Sequence, residues 1–334
     1  MYIVNSYSLA VTFCIVTMLC WGSWANTLKM SPKGWAFPLY YWDYSFGTVL
    51  LALVFGLTLG SLGNEGRSFF QDLGQADFRS MGAAFLGGVI FNLSNLLIVA
   101  ATAIAGMAVA FPLAVGLALV IGVIVNYIAE AKGNPVILFI GIGLVVIAII
   151  INAIAYRKLP SSKSGSSTKG ILISVLSGII MGFFFRFVAA SMSMNFANPE
   201  QGKMTPYSAV FIFSIGLFIS NFLWNTFFMY KPVEGEAVTY GDYFKKGNLK
   251  VHLIGLLGGI IWNIGMSFSL IAAEQAGPAI SYGLGQGATM IAALWGVFIW
   301  KEFKEAPRST NWLLFMMFLF FITGLMLVII ARNV

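Results

Sequence analysis

Leu86-Gly87-Gly88-Val89-Ile90-Phe91-Asn92-Leu93 returns 171 positions later as Leu257-Gly258-Gly259-Ile260-Ile261-Trp262-Asn263-Ile264. The register then continues without a gap: Ala105-Gly106 aligns with Ala276-Gly277, Leu113 with Leu284 and Gly116 with Gly287. Roughly a third of residues 86–116 are identical to their partners. A constant offset held through two apolar runs and the short turn between them is the mark of an internal repeat.

The runs around this repeat read as membrane helices. Of 334 residues, 59% are hydrophobic and only 9% charged, and the mean hydropathy is +0.88. A soluble domain carries about a quarter charged residues. So few charges cannot cover a water-facing surface, which excludes an independent soluble enzyme, a solenoid, a disordered chain and a collagen-like chain. A helix needs about 20 apolar residues to cross the hydrocarbon core. Apolar runs between polar breaks predict ten spans, at 7–26, 37–59, 81–101, 106–127, 135–155, 170–192, 208–229, 252–273, 278–300 and 311–331. The stretch Ser161-Ser162-Lys163-Ser164-Gly165-Ser166-Ser167-Thr168-Lys169 is a flexible linker by composition and divides the chain nearly in half. The predicted fold is therefore all-α, a polytopic membrane protein with ten transmembrane helices in two inverted five-helix repeats. The first repeat takes 1–155, the linker 156–169 and the second repeat 170–334. An odd number of helices per repeat forces the second to lie upside down. Inverted repeats let the two halves exchange conformations around a midplane site, which is the logic of a secondary transporter.

Charge supplies the orientation. One set of loops holds Lys29, Lys33, Arg157, Lys158, Lys163, Lys169, Lys231, Lys245, Lys246, Lys250, Lys301, Lys304 and Arg308. The other set holds only Arg67, Arg79, Lys132, Lys203 and Arg332, and Arg186 falls inside a helix. The positive-inside rule puts the first set in the cytoplasm and both termini outside, in a bacterial inner membrane. The net charge of +7 is thus a topology signal, and no nucleic-acid partner is expected. The start of the chain has no basic n-region and its first apolar run is long, so the first helix is expected to be retained rather than cleaved as a signal peptide. Cys14 and Cys20 fall in that run and read as packing residues. With His252 the lone histidine, no metal site or cofactor is expected.

Further stretches carry a family resemblance. Tyr41-Trp42-Asp43-Tyr44-Ser45, the run Gly87-Gly88-Val89-Ile90-Phe91-Asn92-Leu93-Ser94-Asn95-Leu96, and Asn126-Tyr127 resemble the second, third and fourth helices of the ureide permease family. The opening Met1-Tyr2-Ile3-Val4 is similar as well. The resemblance is clearest over 1–155. Through it the chain also resembles the wider drug/metabolite transporter superfamily, including bacterial relatives and the glucose/ribose and rhamnose uptake permeases. The plant members have a Walker-A-like central loop; the loop at 156–169 lacks that pattern, so ATP-driven transport is not expected. The resemblance implies proton-coupled import of a small neutral polar solute, a ureide or nucleobase. Sugar symport and drug or metabolite export stay open, as does sodium in place of the proton. The partners are then the solute, the coupling ion and the lipid bilayer, for a monomer or homodimer.

Polar groups at membrane depth are the candidates for chemistry. Asp43, amid Tyr40, Tyr41, Trp42 and Tyr44, reads as a proton-coupling carboxylate or as an interfacial aspartate in an aromatic belt. Glu274 is the second coupling candidate and is placed to pair with Arg186, a substrate-binding candidate that alternatively snorkels. The amides Asn92, Asn95 and Asn263 either bind a neutral solute or tie helices together. Trp21, Trp24, Trp262, Tyr282 and Gln286 are candidate pocket walls, Gln286 the strongest because glycines surround it. Glu130 and Glu302 read as interfacial anchors, His252 as a solvated headgroup residue, and 69–78 as an interfacial amphipathic helix.

Overall fold

A computed structural model describes residues 1–32, 34–159, 168–233 and 235–333. Lys33, Lys163 and most of the expected linker lie outside the described residues. The helices are α1 (Tyr7–Ser23), α2 (Asn26–Met30), α3 (Phe37–Leu57), α4 (Phe69–Gln75), α5 (Phe78–Ala105), α6 (Met107–Ala129), α7 (Pro135–Arg157) and α8 (Thr168–Ser191). They continue as α9 (Pro206–Ser220), α10 (Trp224–Tyr230), α11 (Tyr240–Lys246), α12 (Leu249–Ala276), α13 (Pro278–Gly285), α14 (Ala288–Leu294) and α15 (Ser309–Ile330), with a π-helical turn at Trp295–Ile299. Local signals set several starts: Asp77 and Asn248 cap α5 and α12 through their side chains, and Asn134 caps α7 just before a proline that needs no N–H partner.

Among the described residues, nine helical stretches are long and apolar enough to cross a membrane. The stretch outside that set is α3, whose 21 residues begin with tyrosines, a tryptophan and Asp43. Three expected spans are broken rather than continuous. The first divides into α1 and α2 at Trp24-Ala25, the seventh into α9 and α10 after Asn221, and the ninth into α13, α14 and the π-turn at Gln286-Gly287. Gly285 and Gly287 weaken the last of these, and Thr289 Oγ1 donates to the freed Gln286 carbonyl at 3.1 Å.

The sequence repeat is also a repeat of elements. Helices α4 and α11, and α5 and α12, begin and end 171 positions apart. The turns after α5 and α12 rest on Gly106 (φ 78°) and Gly277 (φ 85°), a left-handed conformation that suits glycine. Packing follows the same correspondence: α5 lies on α8 and α9, α12 lies on α1 and α3, and α7 pairs with α15.

The repeated motif now has a physical account. A Cβ on Gly88 would lie 2.0 Å from the Phe213 carbonyl, and one on Gly259 would lie 1.9 Å from the Tyr44 carbonyl. One turn on, Asn92 Nδ2 donates to the Leu217 carbonyl at 3.2 Å and Asn263 Nδ2 to the Thr48 carbonyl at 2.8 Å. Glycine lets the backbones meet and the amide fastens them. Phe91 and Trp262, which occupy equivalent positions of the repeat, touch each other with centroids 4.4 Å apart.

The interfacial stretch at 69–78 forms α4, with Phe69 buried and Phe70 exposed. Its Asp72 is buried and held by Arg67 Nε at 2.9 Å and by Thr205 N–H at 2.7 Å. A counterpart that the sequence reading left as loop, α11, precedes α12.

Candidate functional site

A cavity of about 140 Å³ opens where two of the broken spans, the first and the ninth, meet. Trp21 and Trp24 reach it from the end of α1, and Gln286 and Thr289 from the α13–α14 break. Phe91 and Asn95 of α5, Phe184 and Ser177 of α8, and Trp262 of α12 complete much of the wall. Interrupted helices are tolerated at membrane depth where they line a cavity, because the freed backbone groups find partners there.

The wall combines flat aromatic surface with a few uncharged polar groups, and among the described residues no charged side chain lines it. Trp21 and Trp262 stack with centroids 5.9 Å apart, and the Trp21 indole donates to the Trp262 carbonyl at 3.1 Å. Asn95 Nδ2 donates to the Tyr41 hydroxyl at 3.0 Å, which fixes its carboxamide beside the cavity. Gln286 lines the cavity too, and its backbone is fixed by the Tyr282 carbonyl (3.0 Å). Carboxamides both donate and accept, which suits a neutral solute with mixed hydrogen-bonding edges.

Five of the residues expected at the site therefore meet in one place: Trp21, Trp24, Asn95, Trp262 and Gln286. Asn92 and Asn263 lie outside the lining, fully buried in the helix ties described above. Tyr282 is buried behind the wall and donates to the Ala118 carbonyl at 3.2 Å. Arg186 and Glu274 do not form the expected pair. Glu274 Oε1 instead accepts from the Phe196 N–H at 2.8 Å, and Lys132 donates to the Glu274 carbonyl at 2.9 Å. Arg186 falls three residues after Phe183 and seven after Ile179, on the exposed stripe that those residues share with Leu172 and Leu176. Near the end of α8, that face lets a long cationic side chain extend toward the membrane boundary.

His252 requires a second correction. It is not a solvated headgroup residue: its Nδ1 lies 3.0 Å from both carboxylate oxygens of Asp43. The Tyr243 hydroxyl of α11 also donates to Asp43, and the Trp35 ring meets His252 edge-on at 5.5 Å. The sequence signal was present in hindsight: Asp43 and His252 each lie within two turns of the start of a helix, and both helices start at the basic face. What it lacked was the contact of α3 with α12. Burial and the Asp43 carboxylate push the Tyr243 phenol above its ordinary range. On the same short helix, bonds from Lys246 and Thr239 hold the Asp242 carboxyl down at about 2. Glu274 stands at the opposite end of α12 from His252, about 33 Å away along the axis at 1.5 Å per residue.

Asp43 is buried while His252 keeps a partly exposed ring. Removing His252 alone leaves the buried carboxyl group short of a hydrogen-bonding partner, whereas removing both leaves no group orphaned. His252→Ala is expected to lower stability more than Asp43→Asn combined with His252→Ala, with a coupling of about 0.5–3 kcal/mol. Thermal inactivation of the four proteins in detergent measures this; simple additivity would refute the pair.

Comparison with known proteins places this architecture. The ureide permease family model matches over residues 40–166 and 160–331. The chain is 24% identical to Ureide permease 1 of Arabidopsis thaliana over 381 residues, with 97% of each chain covered. It is 24% identical to Probable ureide permease A3 of Vigna unguiculata over 383 residues, covering 92% of this chain and 99% of the other. A protein of known crystal structure superposes with a TM-score of 0.62 at 13% identity over 98% of both chains, which speaks for the fold alone. Matched along nearly all of its length, with helices fit to span a bilayer and an aromatic-walled cavity among them, the chain belongs to the ureide permease family and is a membrane transporter rather than an enzyme.

Proposed function

We propose that the protein carries a small, flat, neutral solute of the ureide or nucleobase type across the membrane by alternating access. The observation that carries this reading is the cavity: aromatic faces for stacking, the Asn95 and Gln286 carboxamides for hydrogen bonding, and no charge in the wall. A sugar presents hydroxyls around its whole rim and needs more polar partners than this wall offers, so the heterocycle is the better fit.

In this reading α3 is the tenth crossing, and residues 1–155 and 170–334 are two five-helix halves related by inversion. Two facts support the relation: equivalent helices pack on equivalent partners, and the equivalent rings of Phe91 and Trp262 meet beside the cavity. Solute binds near that contact while the halves exchange shapes. The basic loops face the cytoplasm and the termini face outward. Import is coupled to protons through Asp43 and Glu274, one near each end of α12. Each is held by groups from elsewhere in the chain, Asp43 by His252 and Tyr243, Glu274 by the Phe196 N–H.

Uptake by proteoliposomes under an imposed pH gradient tests the whole scheme. Labelled allantoin or uracil is expected to accumulate severalfold above the no-gradient level, with ribose and glucose not retained. Accumulation of a sugar alone, or of no solute, would refute the substrate assignment. Wild-type gradient dependence in both Asp43→Asn and Glu274→Gln would refute the coupling assignment.

A further inference from the structure

We propose that a second, more polar solute site lies between the central cavity and the basic face, built by Asn152 and Tyr156 of α7 with Glu302. It deepens the reading above and rests on it. A separate cavity of about 120 Å³ occupies this place, and it shares Phe111, Thr289 and Ala292 with the central one. The two are therefore adjoining chambers of one route. Their walls differ in kind. The central chamber is aromatic and uncharged, while the second contains a carboxylate, an ammonium, a phenol and two carboxamides.

Three features make this chamber a site rather than a passage. The Asn152 Oδ1 is buried with no hydrogen-bond partner, although its residue lines the chamber. An orphaned buried acceptor is costly unless something donates to it. Glu302 is held in place rather than free, with Lys29 Nζ on one oxygen at 2.8 Å and the Tyr156 hydroxyl on the other at 2.8 Å. Each carboxylate oxygen has lone pairs left over. Finally, the helix beside it is the π-turn, and its Gly296 lets the backbone come close to both groups: a Cβ there would lie 2.8 Å from the Tyr156 hydroxyl and 2.9 Å from Glu302 Oε2, so either would have to shift. Such π-turns recur at functional sites.

The chemistry fits a solute rich in N–H donors. A urea or imide group presents adjacent N–H bonds, which the Asn152 carbonyl oxygen and the Glu302 carboxylate accept, while its carbonyl accepts from the Lys29 ammonium, which has N–H bonds to spare beyond the one on Glu302. The solute thus leaves the stacked central position for a chamber where hydrogen bonds replace stacking, on its way to the basic face. In this role Glu302 does more than the interfacial anchoring expected of it from the sequence.

Site-directed thiol protection separates the chambers. In a background carrying Cys14→Ala and Cys20→Ala, Ala114→Cys places a thiol in the central wall and Ala153→Cys places one in the second. Allantoin and uracil are the probes, and the rate of N-ethylmaleimide labelling is the readout. Both thiols are expected to be protected. Glu302→Gln, and independently Asn152→Leu, are expected to raise the half-protecting concentration at position 153 by about tenfold and to leave that at position 114 within about twofold. Retained protection at 114 also certifies folding. Protection at 114 but never at 153, or equal shifts at both positions, overturns the second site alone. Protection at neither thiol in the parent overturns the substrate reading on which the site rests.

Discussion

Gln286→Leu is expected to reduce uptake of the ureide or nucleobase at low concentration by at least about fivefold, with the folded protein still present in normal amount. Leucine fills nearly the same volume and keeps the cavity wall closed, so packing is little disturbed. What it deletes is an amide that reaches the cavity from a helix break, where Tyr282 and Thr289 hold its backbone. A bound solute would then bury a donor and an acceptor against hydrocarbon. Leaving such a group unsatisfied costs about 1–3 kcal/mol, or roughly 5- to 150-fold in affinity. In the proposed cycle the amide meets solute in both the outward and inward states, so the loss is expected to fall mainly on the concentration for half-maximal uptake. Labelled-solute uptake across a concentration series decides the matter. An unchanged half-saturation, within about twofold, would remove Gln286 from the site. Ala292→Val, in the same wall but without a polar group, supplies the steric control.

That Gln286 stood out in the sequence follows from its glycine neighbours, which predict a thin, weak stretch of helix around a polar side chain. The aromatic walls were legible for a similar reason: tryptophans deep in apolar runs need either close packing or a cavity. Other features depended on contacts that a single chain of letters does not contain. His252 and Asp43 are 209 positions apart and meet only because α3 packs on α12. Asn92 and Asn95 share a helical face by spacing, yet Asn95 reaches the cavity while Asn92 turns to α9. Spacing sets which residues neighbour one another on a helix, and the neighbouring helix decides what each one meets. The breaks after α1 and α9 were likewise hidden, since hydropathy is continuous across them. Glu302 read as an anchor because it ends an apolar run, and its place on a chamber wall needed α7 and the π-turn to be in position.

Gly259→Ala is expected to destabilise the protein by about 1–4 kcal/mol, and Gly88→Ala by a similar amount. Both positions lie where two helix backbones meet with no space between them: the added methyl would stand 1.9 Å from the Tyr44 carbonyl in one case and 2.0 Å from the Phe213 carbonyl in the other. Neither obstacle is a flexible side-chain end, so α12 must move off α3, or α5 off α9. Overpacking of this kind typically costs about 1–3 kcal/mol. Separation also stretches the adjoining bond, Asn263 to the Thr48 carbonyl or Asn92 to the Leu217 carbonyl, and interhelical hydrogen bonds in membranes are worth about 0.6–1.7 kcal/mol. Helix propensity pulls the other way, because alanine is favoured over glycine by about 0.8–1 kcal/mol in a helix interior. Gly143→Ala in α7 isolates that opposing effect, since nothing lies within 4 Å of a Cβ built there. That variant should be neutral or slightly stabilising. The measurement is the temperature at which heated, detergent-solubilised protein loses its monodisperse peak. If Gly259→Ala is no less stable than Gly143→Ala, the repeated Gly-Gly does not mark a close helix crossing. If only one of Gly88 and Gly259 proves sensitive, the two crossings are not energetically equivalent, and the symmetry of the repeat does not extend to its packing.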